Sequence, residues 1–167
     1  MQFSIDLNNL SSHVLVEVAC ESKNAEVLKM LLQFNEKLVY SAVAKNPYTD
    51  KETLRSLYDK YKEGIRSQIR DNISTPVDIL HDIVLTTTQF SEAKNMLDNT
   101  SLASEDLDDL YERFHKYPSY SGQEFIKKVI NHPNVSAETL IKIAEYSVEF
   151  VEKVYLTGKV KFVPNDG

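Results

Sequence analysis

Chemistry in a protein needs nucleophiles, bases or metal ligands within reach of one another, and few residues here meet that need. Cys20 and His13 lie seven apart on one predicted helix. That spacing separates them by about 10 Å along the axis, too far for the hydrogen bond of about 3 Å that activates a thiolate. Cys20 is therefore expected to be a small buried hydrophobe. His13, His81, His115 and His132 have no ligand-type partner at i+4 and share no motif, so no metal site is expected. Gly64, Gly122, Gly158 and Gly167 form no phosphate-cradling loop. No cofactor is expected, and the chain does not read as an enzyme.

Two groups rise above that background as binding features. Asp98, Glu105, Asp106, Asp108, Asp109 and Glu112 fall within fifteen residues that contain no Lys or Arg. Their local charge of -6 equals the net charge of the whole chain. Acids in the first turn of a helix suit the macrodipole, and the same acids could dock a basic partner or mimic phosphate. Next to them, Tyr111, Phe114, His115, Tyr117, Pro118 and Tyr120 set four aromatic rings and a proline within ten residues. Tyrosine is a frequent interface anchor, although the rings could equally fill a packing gap.

The elements that must position these groups are read from a repeat. Val43–Leu54 (VAKNPYTDKETL), Ile69–Leu80 (IRDNISTPVDIL), Met96–Leu107 (MLDNTSLASEDL) and Val129–Leu140 (VINHPNVSAETL) align without gaps. Val18–Leu28 (VACESKNAEVL) fits with one residue missing. Leu28, Leu54, Leu80, Leu107 and Leu140 are spaced 26, 26, 27 and 33 residues apart, the last interval carrying an insertion near 115–122.

Each unit reads as helix, turn, helix. Asn46, Asn72, Asn99 and His132 hold one fixed place in the turn. A left-handed backbone is expected at Asn46 and Asn72, ending the first helix, with Pro47 and Pro133 directly after the corresponding sites. Thr49 with Glu52 reads as a capping box, Thr75 precedes Pro76 at a first helical position, and Ser136 fills the cap role in the last unit. In the third unit, Ser101 or Ser104 is the cap candidate. Buried stripes are expected at Leu54/Leu57, Leu80/Ile83, Leu107/Leu110 and Leu140/Ile143, and on the first helices at Val14/Val18, Val39/Val43, Ile65/Ile69 and Phe125/Val129. The copy that contains Met96–Leu107 is weaker, with Glu92 where its first-helix stripe wants an apolar group and Phe90 or Ala93 expected to substitute.

One such pair cannot bury its apolar face alone, so neighbours must stack. The expected fold is all-α: a single domain over 1–167 forming an α-solenoid of about five helix–turn–helix repeats. Residues 1–10 would be an N-terminal cap, 11–147 the repeats, and 148–167 a helix end and tail, with 159–163 as strand or extended chain. The run VAKNPYTDKETLRSLY followed by RDNISTPVDILHDI resembles the leucine-rich repeat variant family, related in shape to HEAT and armadillo solenoids. The resemblance implies stacked helical repeats that bind other macromolecules. One member type carries an iron–sulfur cluster, whose ligands Cys20 alone cannot supply.

With 19 Lys plus Arg against 25 Asp plus Glu, nonspecific binding to nucleic acid or anionic lipid is disfavoured. A single cysteine, no bilayer-spanning run and no signal-type start point to a cytoplasmic protein. The leading expectation is a non-enzymatic protein-binding module acting through a helical face and the 111–120 aromatics. The alternative is a small acidic inhibitor or immunity-type protein, of phage or mobile-element type, blocking a basic nucleic-acid-binding partner. A HEAT-like enzyme acting on DNA would need a cationic concave face that this composition does not supply.

Overall fold

The computed structural model describes residues 10–116 and 120–156, leaving out the side chains of 63 and 148–156. The expected cap over 1–10 lies almost wholly outside the described residues, as do Tyr117, Pro118 and the tail beyond 156. The described chain is all-helical, with no strand: α1 (Ser12–Glu21), α2 (Ala25–Leu31), a 3₁₀ turn (Leu32–Phe34), α3 (Lys37–Lys45), α4 (Lys51–Asp71), α5 (Val77–Thr86), α6 (Phe90–Met96), α7 (Ser104–Phe114), α8 (Tyr120–Asn131) and α9 (Ala137–Leu156). Helices pack mainly on near neighbours in the chain. α3 meets α1, α2 and α4; α4 meets α5 and α6; α7 meets α5, α6, α8 and α9.

Helix α4 merges two predicted helices. Tyr61 leaves helical geometry at φ -129°, ψ 18°, so the rod bends there and runs on to Asp71. The Tyr61 ring stacks on Tyr40 of α3 at 3.9 Å between centroids, fixing the bend against the preceding helix.

The apolar stripes form one continuous core. Leu28, Leu54, Leu80 and Leu107 are fully buried, with Leu57, Ile83 and Leu110 beside them. On the first helices Val39/Val43, Ile65/Ile69 and Phe125/Val129 are buried as expected. Two expectations shift. In α1 the buried residues are Leu15 and Ala19, one position on from Val14 and Val18, which are half-buried. Leu140 is 40% exposed because no later helix follows α9 among the described residues, and Ile143 carries the burial instead. Cys20 is exposed, not buried, because it lies on the solvent side of that shifted α1 stripe.

The turns work differently from the expectation of left-handed asparagines. Asn46 sits at φ -69°, ψ 126° and Asn72 at φ -80°, ψ 121°, both extended. Among the described non-glycine residues only Asn35 has positive φ. The side chains act in place of the backbone. The Asn46 amide donates to the carbonyls of Ala19 (2.8 Å), Cys20 (3.2 Å) and Ser22 (2.9 Å). Asn72 donates to Ala44 (2.7 Å) and Asn46 (2.8 Å), and Asn99 to Arg70 (2.6 Å) and Asn72 (3.1 Å). Each of these asparagines accepts the backbone N–H two residues on, from Tyr48, Ser74 and Ser101. His132 repeats the pattern: Nε2–H donates to the Asn99 carbonyl (3.1 Å) and Nδ1 accepts from the Asn134 N–H (3.2 Å). That pair of bonds requires the proton on Nε2.

In all four turns the backbone N–H three residues on returns to the carbonyl of the Asn or His. The carbonyls of Asn46, Asn72 and Asn99 therefore each accept one bond within the turn and one from the next turn. The result is a buried ladder that satisfies the orphan carbonyls of helix ends.

The caps also differ. Asp50, not Thr49, caps α4 by accepting the Thr53 N–H at 2.7 Å. Thr49 and Thr75 turn inward and donate to the carbonyls of Val43 and Ile69, six residues back. Pro76 occupies the cap position of α5 itself, and Ala103 that of α7, so neither Ser101 nor Ser104 caps. Ser101 instead donates to the Ile73 carbonyl. Ser136 does cap α9, accepting the Thr139 N–H at 3.0 Å.

Candidate binding surface

The acidic run is positioned by α7 and its approach, and three of its six carboxylates, those of Asp98, Asp106 and Glu112, are met by partners from other helices. Asp106 is buried at 1% exposure, with Oδ1 at 2.6 Å from His81 Nδ1 on α5 and Oδ2 without a hydrogen-bond partner. The start of α7 contributes its macrodipole to that carboxylate. Asp109 pairs with Arg113 at 2.6 Å, Glu112 with Lys142 at 3.0 Å, and Asp98 with Lys128 at 2.6 Å. Asp108 accepts from Ser136 at 3.2 Å. Glu105 alone of the six is exposed with no hydrogen-bond or ion-pair partner. As a steering field the cluster is much weaker than its sequence density implies. The Lys142 contact and the charge it brings hold the Glu112 carboxyl below its ordinary value. The hydrogen bond that His81 donates to Asp106, then the charge of that carboxylate, raises the imidazole above its ordinary 6.5.

The aromatic group divides. Tyr111 is buried at 2% exposure, its ring stacked on His115 at 4.7 Å, and burial pushes its hydroxyl up to about 12. His115 is half-buried, receives Tyr146 edge-on at 4.9 Å, and its Nδ1 lies 2.8 Å from the Tyr111 carbonyl. Phe114 meets Phe90 at 6.3 Å and Phe125 at 6.4 Å, joining α6, α7 and α8 through edge contacts. Tyr111, Phe114 and His115 are thus packing residues, not surface anchors: the irregular spacing leaves a gap and these rings fill it. Tyr120, at the start of α8, is 80% exposed. Tyr117 lies outside the described residues.

A further feature escaped the sequence reading. Two adjoining clefts, of about 490 and 270 Å³, open between the second half of α4 and α6 and share Arg70 and Asn95. Arg66 crosses the larger one to Glu92 at 2.7 Å and to the Ile83 carbonyl at 2.8 Å. Arg70 is held by Asp71 through Nε (2.6 Å) and Nη2 (3.0 Å). The signal was present in the sequence as Glu92, the one charged residue in a buried stripe.

No group of three or more His, Cys, Asp or Glu among the described residues is placed to hold a metal ion. No described helix is long and apolar enough to cross a membrane. Comparisons with protein-family models, with curated proteins and with solved structures give no match.

Proposed function

We propose that the chain is an α-solenoid of about five helix–turn–helix repeats, of the kind the leucine-rich repeat variant resemblance implies, and that it serves as a non-enzymatic protein-binding module. The turn ladder carries the architectural part, because Asn72, Asn99 and His132 each donate to the carbonyl of the turn residue one unit before. The binding part rests on one observation: Tyr120, the large apolar side chain most open to solvent among the described residues, stands where the repeat spacing is broken. A ring that is not spent on packing, at the edge of a scaffold whose neighbouring rings are, suits an anchor. Tyr117, three residues before it in the sequence, is the second anchor candidate in this reading.

The acidic-inhibitor alternative draws less support. An inhibitor that imitates phosphate needs unpaired carboxylates facing outward, whereas Asp98, Asp109 and Glu112 are in ion pairs and Asp106 is buried.

A photo-crosslinking residue at position 120, introduced in the native host and followed by mass spectrometry, identifies the partner. Replacing Tyr117 and Tyr120 by Ser should then weaken its binding at least tenfold, with the melting temperature retained. Undiminished binding would place the contact elsewhere on the molecule. A shallow dependence of affinity on salt is expected for aromatic anchoring, and a steep one would favour charge-led inhibition.

A further inference from the structure

The cleft between α4 and α6 lies where the sequence departs from its own pattern. In the units on either side, the residue seven before the turn Asn or His is Ile65 or Phe125, each fully buried. In the third unit it is Glu92, which turns to Arg66 and to the Thr87 hydroxyl at 3.2 Å. An ion pair stands where an apolar contact would draw α6 against α4. Natural chains break a packing rule chiefly where function requires it.

The chemistry left facing the cleft is specific. Gln89, Ser91 and Asn95 line it, and their side chains have no hydrogen-bond or ion-pair partner. The two arginines are each matched by a carboxylate, so the floor is close to neutral, and Asp98 at its far end is held by Lys128. Near-neutrality gives a nucleic-acid backbone little to bind, and the polar lining gives a lipid chain nothing. Free side-chain amides, each offering two donors and an acceptor, match alternating N–H and C=O groups.

We infer that the α4–α6 cleft binds an extended peptide segment through its main chain, with Gln89 and Asn95 reading the peptide amides and the Arg66–Glu92 pair standing between the walls. The site shares the class of function proposed above but not its surface. The two are separable, because Tyr120 does not line the cleft.

The test uses the full chain and a displayed library of random linear peptides, with affinities of the selected peptides read by fluorescence anisotropy. Enrichment of peptides whose affinity falls at least tenfold in the double variant Gln89→Ala, Asn95→Ala, and is unchanged in Tyr120→Ser, is the expected result. Both substituted residues are at the surface, and an unchanged melting temperature shows that the fold is retained. No enrichment over background, or selected peptides that bind the double variant normally, overturns the inference. Preferential binding of a single-stranded oligonucleotide by the same residues also overturns it. Loss of binding in Tyr120→Ser with the double variant unaffected would instead uphold the first proposal and reject this one.

Discussion

Asparagine recurs in the turns because its short amide offers two donors and an acceptor on one rigid plane, and each is used. In Asn72→Ala, the carbonyls of Ala44 and Asn46 and the N–H of Ser74 would each lose a partner. A loss of about 2–4 kcal/mol is expected in chemical denaturation, from roughly 1 kcal/mol per bond plus the cost of buried groups left unmatched. His132 makes the complementary case. It offers one donor and one acceptor at the same offsets, so His132→Asn should change stability by less than about 1 kcal/mol, while His132→Ala should cost about 1–3 kcal/mol. His81 gives a pH signature. Its value in the folded protein is raised above 6.5 by Asp106, so the stabilisation it brings is fully present below 6.5 and is lost as pH rises through the higher folded value. The difference in melting temperature between the native chain and His81→Ala should therefore shrink on going from mildly acid to alkaline solution.

At the scale of the helix, what packs over a leucine decides what it contributes. Leu80 is fully buried, and Leu80→Ala should destabilise by about 2–5 kcal/mol. Leu140, its counterpart in the last unit, is 40% exposed, and Leu140→Ala should cost below about 1 kcal/mol by the same denaturation measurement. Helix positions, turns and most of the stripes were legible because they are written in short-range periodicity. The place of Asn46, Asn72, Asn99 and His132 was visible too, but not their work, since the carbonyls they bind lie 24 to 33 residues upstream. The caps were misread for a related reason: a threonine hydroxyl can reach a carbonyl six residues back as readily as an N–H ahead, and only packing decides. Asp106 read as surface because it stands in a run of acids; its buried carboxylate meets His81, which comes from another helix. The cleft had a sequence signal in Glu92, although the partner that explains it, Arg66, lies 26 residues away.

Across the whole molecule, charge is organised between units. Arg55 grips Asp78 with both nitrogens at 2.6 and 2.8 Å, Lys62 reaches Asp82 at 2.5 Å, and Lys94 reaches Glu124 at 2.5 Å. Each pair spans 20 to 30 residues. Exposed pairs contribute little singly, but their carboxyls share one direction. Asp78, Asp82 and Glu124 are held below their ordinary values, foremost by the hydrogen bonds from these cations. Their contribution is present above the ordinary values of 3.8 and 4.5 and is lost as pH falls through the lower folded ones. Acid unfolding should accordingly begin at higher pH when added salt screens the pairs. The ladder has a mechanical consequence as well. Its bonds join turn to turn along the chain, so tension applied at the chain ends loads them in series, and the weakest junction yields first while the rest hold. Under a pulling probe the molecule should lengthen like a ratcheted spring. Each release frees a unit of about 26 residues, or roughly 80 Å of chain beyond the ~10 Å it already spanned.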